Sequence, residues 1–455
     1  MNQNDESKVK APSQPTPVAA TPQQAGEARD PWGWVERTVW TERMLTRLTT
    51  SEPANRVWFR LWDQTYAPAH LVSAFHKVWK NGGSAGADAQ TVAHFAQHSE
   101  EELCGLAQQM SQGTYRPQPV RRAWIPKPGS REKRPLGIPA VRDRVVQAAL
   151  RHVLEPIFET EFAEQSYGFR PGRGAKDALR RVDTLLKAGH HWVVDADLKS
   201  YFDTIPHERL MALVKARVAD GRVLALVESF LGAGVMEESK GWQPTERGTP
   251  QGGVISPLLA NLYLDPFDHQ MARAGWELVR YADDFVILCR SEAEAQVALS
   301  QVREWVKEAG LSLHPEKTRI VNANAPGGFD FLGYHFERGM KWPRKKSLMK
   351  LKERVRAKTA RLDGRSLEEI VTDVNRTLRG WYGYFQHSKA SVFREVDGFV
   401  RRRLRSLLEK RRGRTRQGLG ASQHRWPNAW FAHCGLLTLT AEHEWTRTIV
   451  KLRTH

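Results

Sequence analysis

The chain reads as an α+β protein built on antiparallel strand pairs and followed by a basic helical region. Three observations carry that reading. From about residue 192, strand-like and helical segments interleave, but the strands come in pairs joined by turns, which favours α+β over a doubly wound parallel sheet. From about residue 341 the pattern is mainly helical and very basic. With 40% hydrophobic residues and 16 tryptophans in 455, the chain has ample material for the packed interiors of two to four domains.

The charge and the cysteines bound the function. A formal net charge of +18 and a pI near 9.9 are the electrostatic footprint of a protein that binds a polyanion, either nucleic acid or an anionic surface. No apolar run of about eighteen residues suggests a membrane span, and the N-terminus offers no signal-peptide core. Cys104, Cys289 and Cys434 are far apart and form no CxxC pair, so neither a zinc knuckle nor a disulfide framework is expected. The expected compartment is a reducing cytosol.

In chain order, residues 1–33 are rich in Pro, Gln and Ala with few large apolar groups, and a disordered tail is expected. In "PWGWVERTVWTERMLTRLTT", Trp34, Val35, Val39, Met44 and Leu45 have helical spacing. "NGGSAGADAQT" (81–91) is a glycine-rich loop ahead of another helix, and "YRPQPVRRAWIPKPGSREKRPLGIP" (115–139) reads as strand–turn–strand. "VRDRVVQAALRHVLEPIFETEF" is a helix with an apolar face. After the strand "WVVDADLKSYF" come the helices "PHERLMALVKARV", "GRVLALVESFLGAGV" and "SPLLANLYLDPFDHQMARAG". "LVRYADDFVILC" is a hairpin, "EAEAQVALSQVREWVKEAG" a helix, and "LSLHPEKTRIV" with "GFDFLGYHFE" a strand pair. The run "RRRLRSLLEKRRGRTR" (401–416) holds nine basic residues and one acid, Glu409. No internal repeat is found.

Chemistry concentrates in two acidic segments. Asp283 and Asp284 interrupt an apolar run, and the flanking β-formers put them at a hairpin turn. Alone, such a doublet reads as a solvated turn. "VVDADLKSYFD" changes the balance: Asp195 and Asp197 share a strand face, and Asp203 lies beyond the run. Two strands bringing carboxylates to one place need divalent cations between them. Hard oxygen donors suit Mg²⁺, and paired Mg²⁺ ions about 3.5–4 Å apart serve in-line attack on phosphorus. Basic charge and split carboxylates therefore converge on nucleotidyl transfer.

Further blocks carry a resemblance. "NGGSAGAD", "WIPKPGSREKRPLGIP", "DRVVQAAL", "SYGFRPGRGAKDAL", "DADLKSYFDTIPH", "GTPQGGVISPLLANLYLD", "RYADDFVIL", "LHPEKT" and "FDFLGYHF" occur in the order seen in group II intron reverse transcriptases. "NRTLRGWYGYF" and "RWPNAWFAHCGL" resemble the maturase, or thumb, region of that family. The resemblance covers roughly residues 34–440. It implies a right-hand polymerase: N-terminal extension and fingers over 34–195, palm with antiparallel sheet over 196–338, a helical thumb/maturase domain over 339–440 and a short tail over 441–455.

The resemblance also implies roles. Asp197, Asp283 and Asp284 would be the palm carboxylates that hold two Mg²⁺ ions, with Asp284 contributing less directly and Leu198 at the same metal site. The reaction would be attack of a primer 3′-hydroxyl on the α-phosphate of a deoxynucleoside triphosphate. Phe202 stands where the family places the aromatic that excludes a ribose 2′-hydroxyl. Lys127 and Arg134 match the residues that grip the triphosphate, a point charge and a fork. Gln251 would lie beside the nucleotide sugar, and Lys317 would aid pyrophosphate departure. Arg170 and Arg173 are expected on template or nucleotide backbone. Arg401, Arg402, Arg403, Arg405, Lys410, Arg411 and Arg412 are expected on intron RNA or the template–primer duplex. Asp195 and Asp203 fall outside the matched ligand positions, and His207 and His314 read as structural. Trp381, Tyr382 and Tyr384 suit either base stacking or packing of the thumb core.

The expected partners are group II intron RNA, an RNA template, a DNA primer or target, and deoxynucleoside triphosphates, in the bacterial cytosol or nucleoid. The oligomeric state is open. The family's cysteine-paired HNH endonuclease is not seen before His455, so the endonuclease-lacking class is expected, priming from an existing end such as a replication-fork strand. Three readings follow: an intron-encoded enzyme that assists splicing and retrohomes, a splicing-only maturase, or a relative serving the host in defence or repair.

Overall fold

A computed structural model describes residues 32–50, 57–126, 133–413 and 420–453. The expected tail therefore lies, apart from Trp32 and Gly33, outside the described residues. The described strands are β1 (Val120–Pro126), β2 (Lys133–Ile138), β3 (Trp192–Asp197), β4 (Val235–Glu237), β5 (Gly241–Gln243), β6 (Glu277–Tyr281), β7 (Asp284–Cys289), β8 (Arg319–Asn322), β9 (Phe329–Phe331), β10 (Tyr334–Glu337) and β11 (Met340–Pro343). They form three sheets, of order β2-β1-β4-β5, β6-β7-β3-β8 and β11-β10-β9. All pairings are antiparallel except the short parallel contact of β1 with β4. The fold is α+β, as the strand pairs foretell.

The central sheet explains why β7 reads as a continuous apolar run. Phe285, Ile287 and Cys289 face the main core, which includes the helices Ser256–Arg273 and Glu292–Glu308. Val286 and Leu288 face a second core, where they meet Leu179, Val182 and Leu185 of the helix Ala175–Lys187 and the aromatic side chains of β9 and β10. A strand buried on both faces needs apolar residues at every position. Only its first residue, Asp284, at the sheet's end, escapes that demand.

A third core joins the helices Lys345–Lys358, Leu367–Phe385 and Ala390–Arg411 through Val355, Leu378, Phe393 and Leu404, closed by Trp426 and Phe431. Ser366 starts the second of these with a capping box, its hydroxyl accepting from the Glu369 amide and the Glu369 carboxylate accepting from the Ser366 amide.

Several expectations are corrected. Residues 32–41 form turns and the helix begins at Glu42: Trp34 and Val35 precede the turn at 36–40 and Val39 lies within it, so of the five spaced residues only Met44 and Leu45 are helical. "LSLHPEKTRIV" and "GFDFLGYHFE" are not partners: β8 adds to β3 in the central sheet, while β9 and β10 pair with each other. The hairpin β4–β5, which extends the first sheet, follows a helix and is too short for a periodicity to announce it.

Candidate active site

The site is assembled by strand register. In the β3–β7 ladder Asp197 lies opposite Asp284, and Asp283 occupies the β6–β7 turn. Ala282 takes φ +59°, a left-handed value rare for a residue with a Cβ, and so reverses the chain in two residues. Beyond β3, Leu198 bridges to Leu313, the Lys199 amide donates to the Ser312 carbonyl at 2.8 Å and the His314 amide to the Asp197 carbonyl at 2.8 Å. This pairing delivers "EKT" to the carboxylates: Lys317 Nζ lies 2.6 Å from Asp197 Oδ2. Leu198 is an apolar side chain, 4% exposed, so its main-chain carbonyl is the group it can offer a cation.

Burial and crowding act together on the acids. Asp284 is pushed up to about 7, first by burial and then by the carboxylates of Asp195, Asp283 and Asp197. Burial raises Asp283 as well, and the Asp197 charge adds to it, while Arg134 and Arg280 oppose the shift. Asp195 rises to about 6 through burial, partly offset by Arg319, its register partner, whose Nε is 3.4 Å from Oδ2. Among the described residues no three His, Cys, Asp or Glu side chains are gathered tightly enough to ligate one ion as they stand. The donor set nevertheless suits Mg²⁺: hard oxygens whose mutual repulsion a divalent cation relieves. One such oxygen is now paired with an ammonium.

The residues expected to contact the nucleotide come from separate segments. Lys127 lies outside the described residues. Arg134, exposed on β2, is near enough to Asp283 to lower its pKa. Phe202 is half-buried against the main core, and its carbonyl accepts from the Thr249 amide at 2.7 Å. The same loop reaches β2, where the Gly137 amide donates to the Gln251 carbonyl at 2.7 Å. Gly252, at φ +116°, faces the Gly137 carbonyl so closely that a Cβ would collide with it. A glycine is required there. "TPQGG" thus ties the strand pair carrying Arg134 to the segment carrying Phe202.

The basic residues divide. Arg170 is not available for template or nucleotide: its side chain is 3% exposed, it forks onto Glu159 at 2.8–3.2 Å, and Nη1 donates to the carbonyls of Ala163 and Ser166. Arg173 is half-buried, donates to the Glu164 carbonyl at 2.7 Å and lies over the Tyr167 ring. Arg405 is buried, donating to the Trp426 carbonyl and Asn428 across the Phe431 ring, so it too is removed from the RNA-facing set. Arg403 is bound to Thr359, and Arg411 donates to the carbonyls of Asp363 and Arg365. Arg402 and Arg412 are exposed, and Arg401 and Lys410 partly so. The end of the basic run, 414–416, lies outside the described residues. A helix long enough to have a buried face must turn part of a basic run inward.

Other side chains are structural. Tyr382 donates or accepts with Thr446 at 3.1 Å, Tyr384 donates to the Leu332 carbonyl at 2.7 Å, and Trp381 packs on Phe385, so these aromatics serve core packing. His207 Nε2 is 2.7 Å from the Gly248 carbonyl oxygen. Two further cations lie near the acids. Arg319 faces Asp195 only through the β3–β8 register, and Arg344, at the start of the helix Lys345–Lys358, lowers Asp284. Neither had a local signal.

Comparisons with known proteins identify the family. The family profile described as "Reverse transcriptase (RNA-dependent DNA polymerase)" matches residues 125–336, and "Group II intron, maturase-specific domain" matches residues 348–426. Protein YkfC of Escherichia coli K12 is 33% identical over 338 residues, which are 65% of this chain and 87% of YkfC. The group II intron-encoded protein LtrA of Lactococcus lactis subsp. cremoris is 38% identical over 234 residues, 50% of this chain and 38% of LtrA. A telomerase structure from Candida albicans matches at 14% identity over 70% of this chain and 64% of that one, with a TM-score of 0.39, too slight a likeness to carry an argument. Among the described residues no helix is long and apolar enough to cross a membrane. With a reverse transcriptase region followed by a maturase region, the chain belongs to the group II intron reverse transcriptase/maturase family.

Proposed function

We propose that the chain extends a DNA primer on an RNA template at Asp197, Asp283 and Asp284, and that it binds its host intron RNA to assist splicing and copies it into DNA at new sites. The observation that carries the polymerase site is the register that sets Asp197 opposite Asp284 with Asp283 in the adjoining turn. These three carboxylates and the Leu198 carbonyl would hold two Mg²⁺ ions. Bound there, the ions would favour the primer alkoxide and neutralise charge on the triphosphate and departing pyrophosphate.

The chain's own residues do the rest. Arg134 and Lys127 grip the triphosphate, the fork of the one matching two oxygens and the ammonium of the other acting as a point charge. Phe202, fixed by the Thr249 amide, fills the space a 2′-hydroxyl would need. Gln251 lies along the sugar. Lys317 is the counter-charge of Asp197 until a cation replaces it, and then faces the pyrophosphate. On this reading the N-terminal extension and fingers span 34–195, the palm 196–338 and the thumb 339–440, with β3, Trp192–Asp197, crossing from the first into the second. Arg401, Arg402, Lys410, Arg411 and Arg412 lie along the RNA.

Primer extension on an RNA template with Mg²⁺ tests the site. Asp283→Ala should abolish extension while a splicing assay with the host intron stays largely intact. Undiminished extension by Asp283→Ala overturns the site assignment. Loss of both activities in a folded variant overturns the division of labour.

A further inference from the structure

Arg280 precedes the "YADD" turn and is fully buried in a strand whose neighbours are apolar. A guanidinium has five N–H donors. At Arg280 each has an acceptor: Nε donates to Asp268 Oδ1 at 2.7 Å, Nη2 to Asp268 Oδ2 and to Ser166 Oγ at 2.8 Å, and Nη1 to Asn261 Oδ1 at 3.0 Å and to the Ala282 carbonyl at 2.9 Å. Asp268 is itself fully buried and balances the charge. The last contact holds the carbonyl of the left-handed residue, the one that turns the chain between Tyr281 and Asp283.

The opposite side of the turn is fixed as tightly. The Arg280 amide donates to the Gln165 carbonyl and the Tyr167 amide to the Arg280 carbonyl, both at 2.9 Å. Asn261 Nδ2 donates to the Gly168 carbonyl at 2.7 Å. Gly168 lies directly against the turn: a Cβ there would run into the Ala282 nitrogen and stand 2.9 Å from the Tyr281 carbonyl carbon. Buried ion pairs seldom stabilise a fold more than apolar residues of the same volume, so stability alone does not account for a fully satisfied one under this turn. An unfavourable backbone conformation persists only where its surroundings over-determine it.

We propose that Arg280 is a positioning residue for the polymerase reaction. Braced by Asp268, Asn261 and Ser166 on one side and Gly168 on the other, it sets the conformation of the turn and hence the direction in which Asp283 and Asp284 point. This rests on the reading of those aspartates as metal ligands.

The test uses Arg280→Lys, which keeps a buried cation beside Asp268 but loses the fork, and Gly168→Ala, which pushes on the turn without touching the ion pair. Both should lower kcat at least tenfold and raise the half-saturating Mg²⁺ several-fold, with intron RNA affinity and dNTP KM within about twofold of the parent. A purely structural role would lower the melting temperature without moving the Mg²⁺ requirement. Folded variants with the parent's kcat and Mg²⁺ requirement overturn the proposal. If Arg280→Lys fails to fold, Gly168→Ala and Ser166→Ala decide by the same readouts. Asp283→Ala is run alongside: an active Asp283→Ala removes the metal-ligand reading itself, whereas an inactive one beside parent-like Arg280→Lys and Gly168→Ala removes this inference alone.

Discussion

Arg170→Met is expected to destabilise the fold and leave nucleic-acid affinity untouched, although Arg170 sits in a motif, "YGFRPGRG", that reads as nucleic-acid-binding. Its side chain is 3% exposed and that of its partner Glu159 14%. Methionine fills much of the volume but strands the Glu159 carboxylate, while the Ala163 carbonyl keeps the Ser166 amide and the Ser166 carbonyl keeps Arg173 Nη1. Breaking a buried pair by removing one partner costs about 3–5 kcal/mol. Burial already raises Glu159 above the usual carboxylate range, and Arg170 is the chief opposing influence. The double variant Glu159→Leu/Arg170→Met should recover most of the loss, since it leaves no buried charge without a partner. Urea unfolding followed by circular dichroism gives the stabilities, and fluorescence anisotropy gives the RNA affinity. A single variant with the parent's unfolding midpoint and tenfold weaker RNA binding would refute the buried-pair reasoning.

Three further outcomes are expected. In EDTA, raising the pH should lower the melting temperature: Asp284 has a folded pKa of about 7, raised by burial and neighbouring carboxylates above the ordinary 3.8, so its contribution is complete below pH 3.8 and lost as pH rises through 7. Mg²⁺ should erase that decline, and differential scanning calorimetry with and without the metal checks it. Lys317→Met removes the ammonium that pairs with Asp197 and should tighten Mn²⁺ binding about 1.5–5-fold by calorimetry, the worth of an ion pair whose lysine is 60% exposed; unchanged or weaker binding contradicts it. Neutralising exposed Arg402 and Arg412 to Gln should weaken intron RNA binding and lower the slope of log K against log salt by about 0.7–0.9 for each phosphate no longer neutralised, whereas Arg405→Gln should act on stability.

Legibility followed the range of the interactions. The hairpin at Asp283–Asp284 was readable because β-formers flank a polar doublet within one window. Asp197 was readable for the same local reason. What joins them, the β3–β7 register, depends on residues almost ninety positions apart and leaves no local trace. The cations show the same limit. Sequence pattern marks Arg170, Arg402 and Arg405 alike as basic, but only packing decides that Arg170 and Arg405 turn inward while Arg402 stays in solvent. In the sequence Trp381, Tyr382 and Tyr384 suit either stacking or core packing, and only their neighbours in the fold decide between the two. Arg280 is visible beside "YADD", yet its side-chain partners come from two distant segments, the helix Ser256–Arg273 and the stretch at Ser166.

The most direct measurement is single-turnover extension of a DNA primer on an RNA template in Mg²⁺, comparing the parent with Asp283→Ala at matched RNA affinity. Carboxylates crowded at the end of β3 and β7 to hold metal ions predict loss of extension with RNA binding retained. Extension by Asp283→Ala at the parent's rate would contradict that assignment.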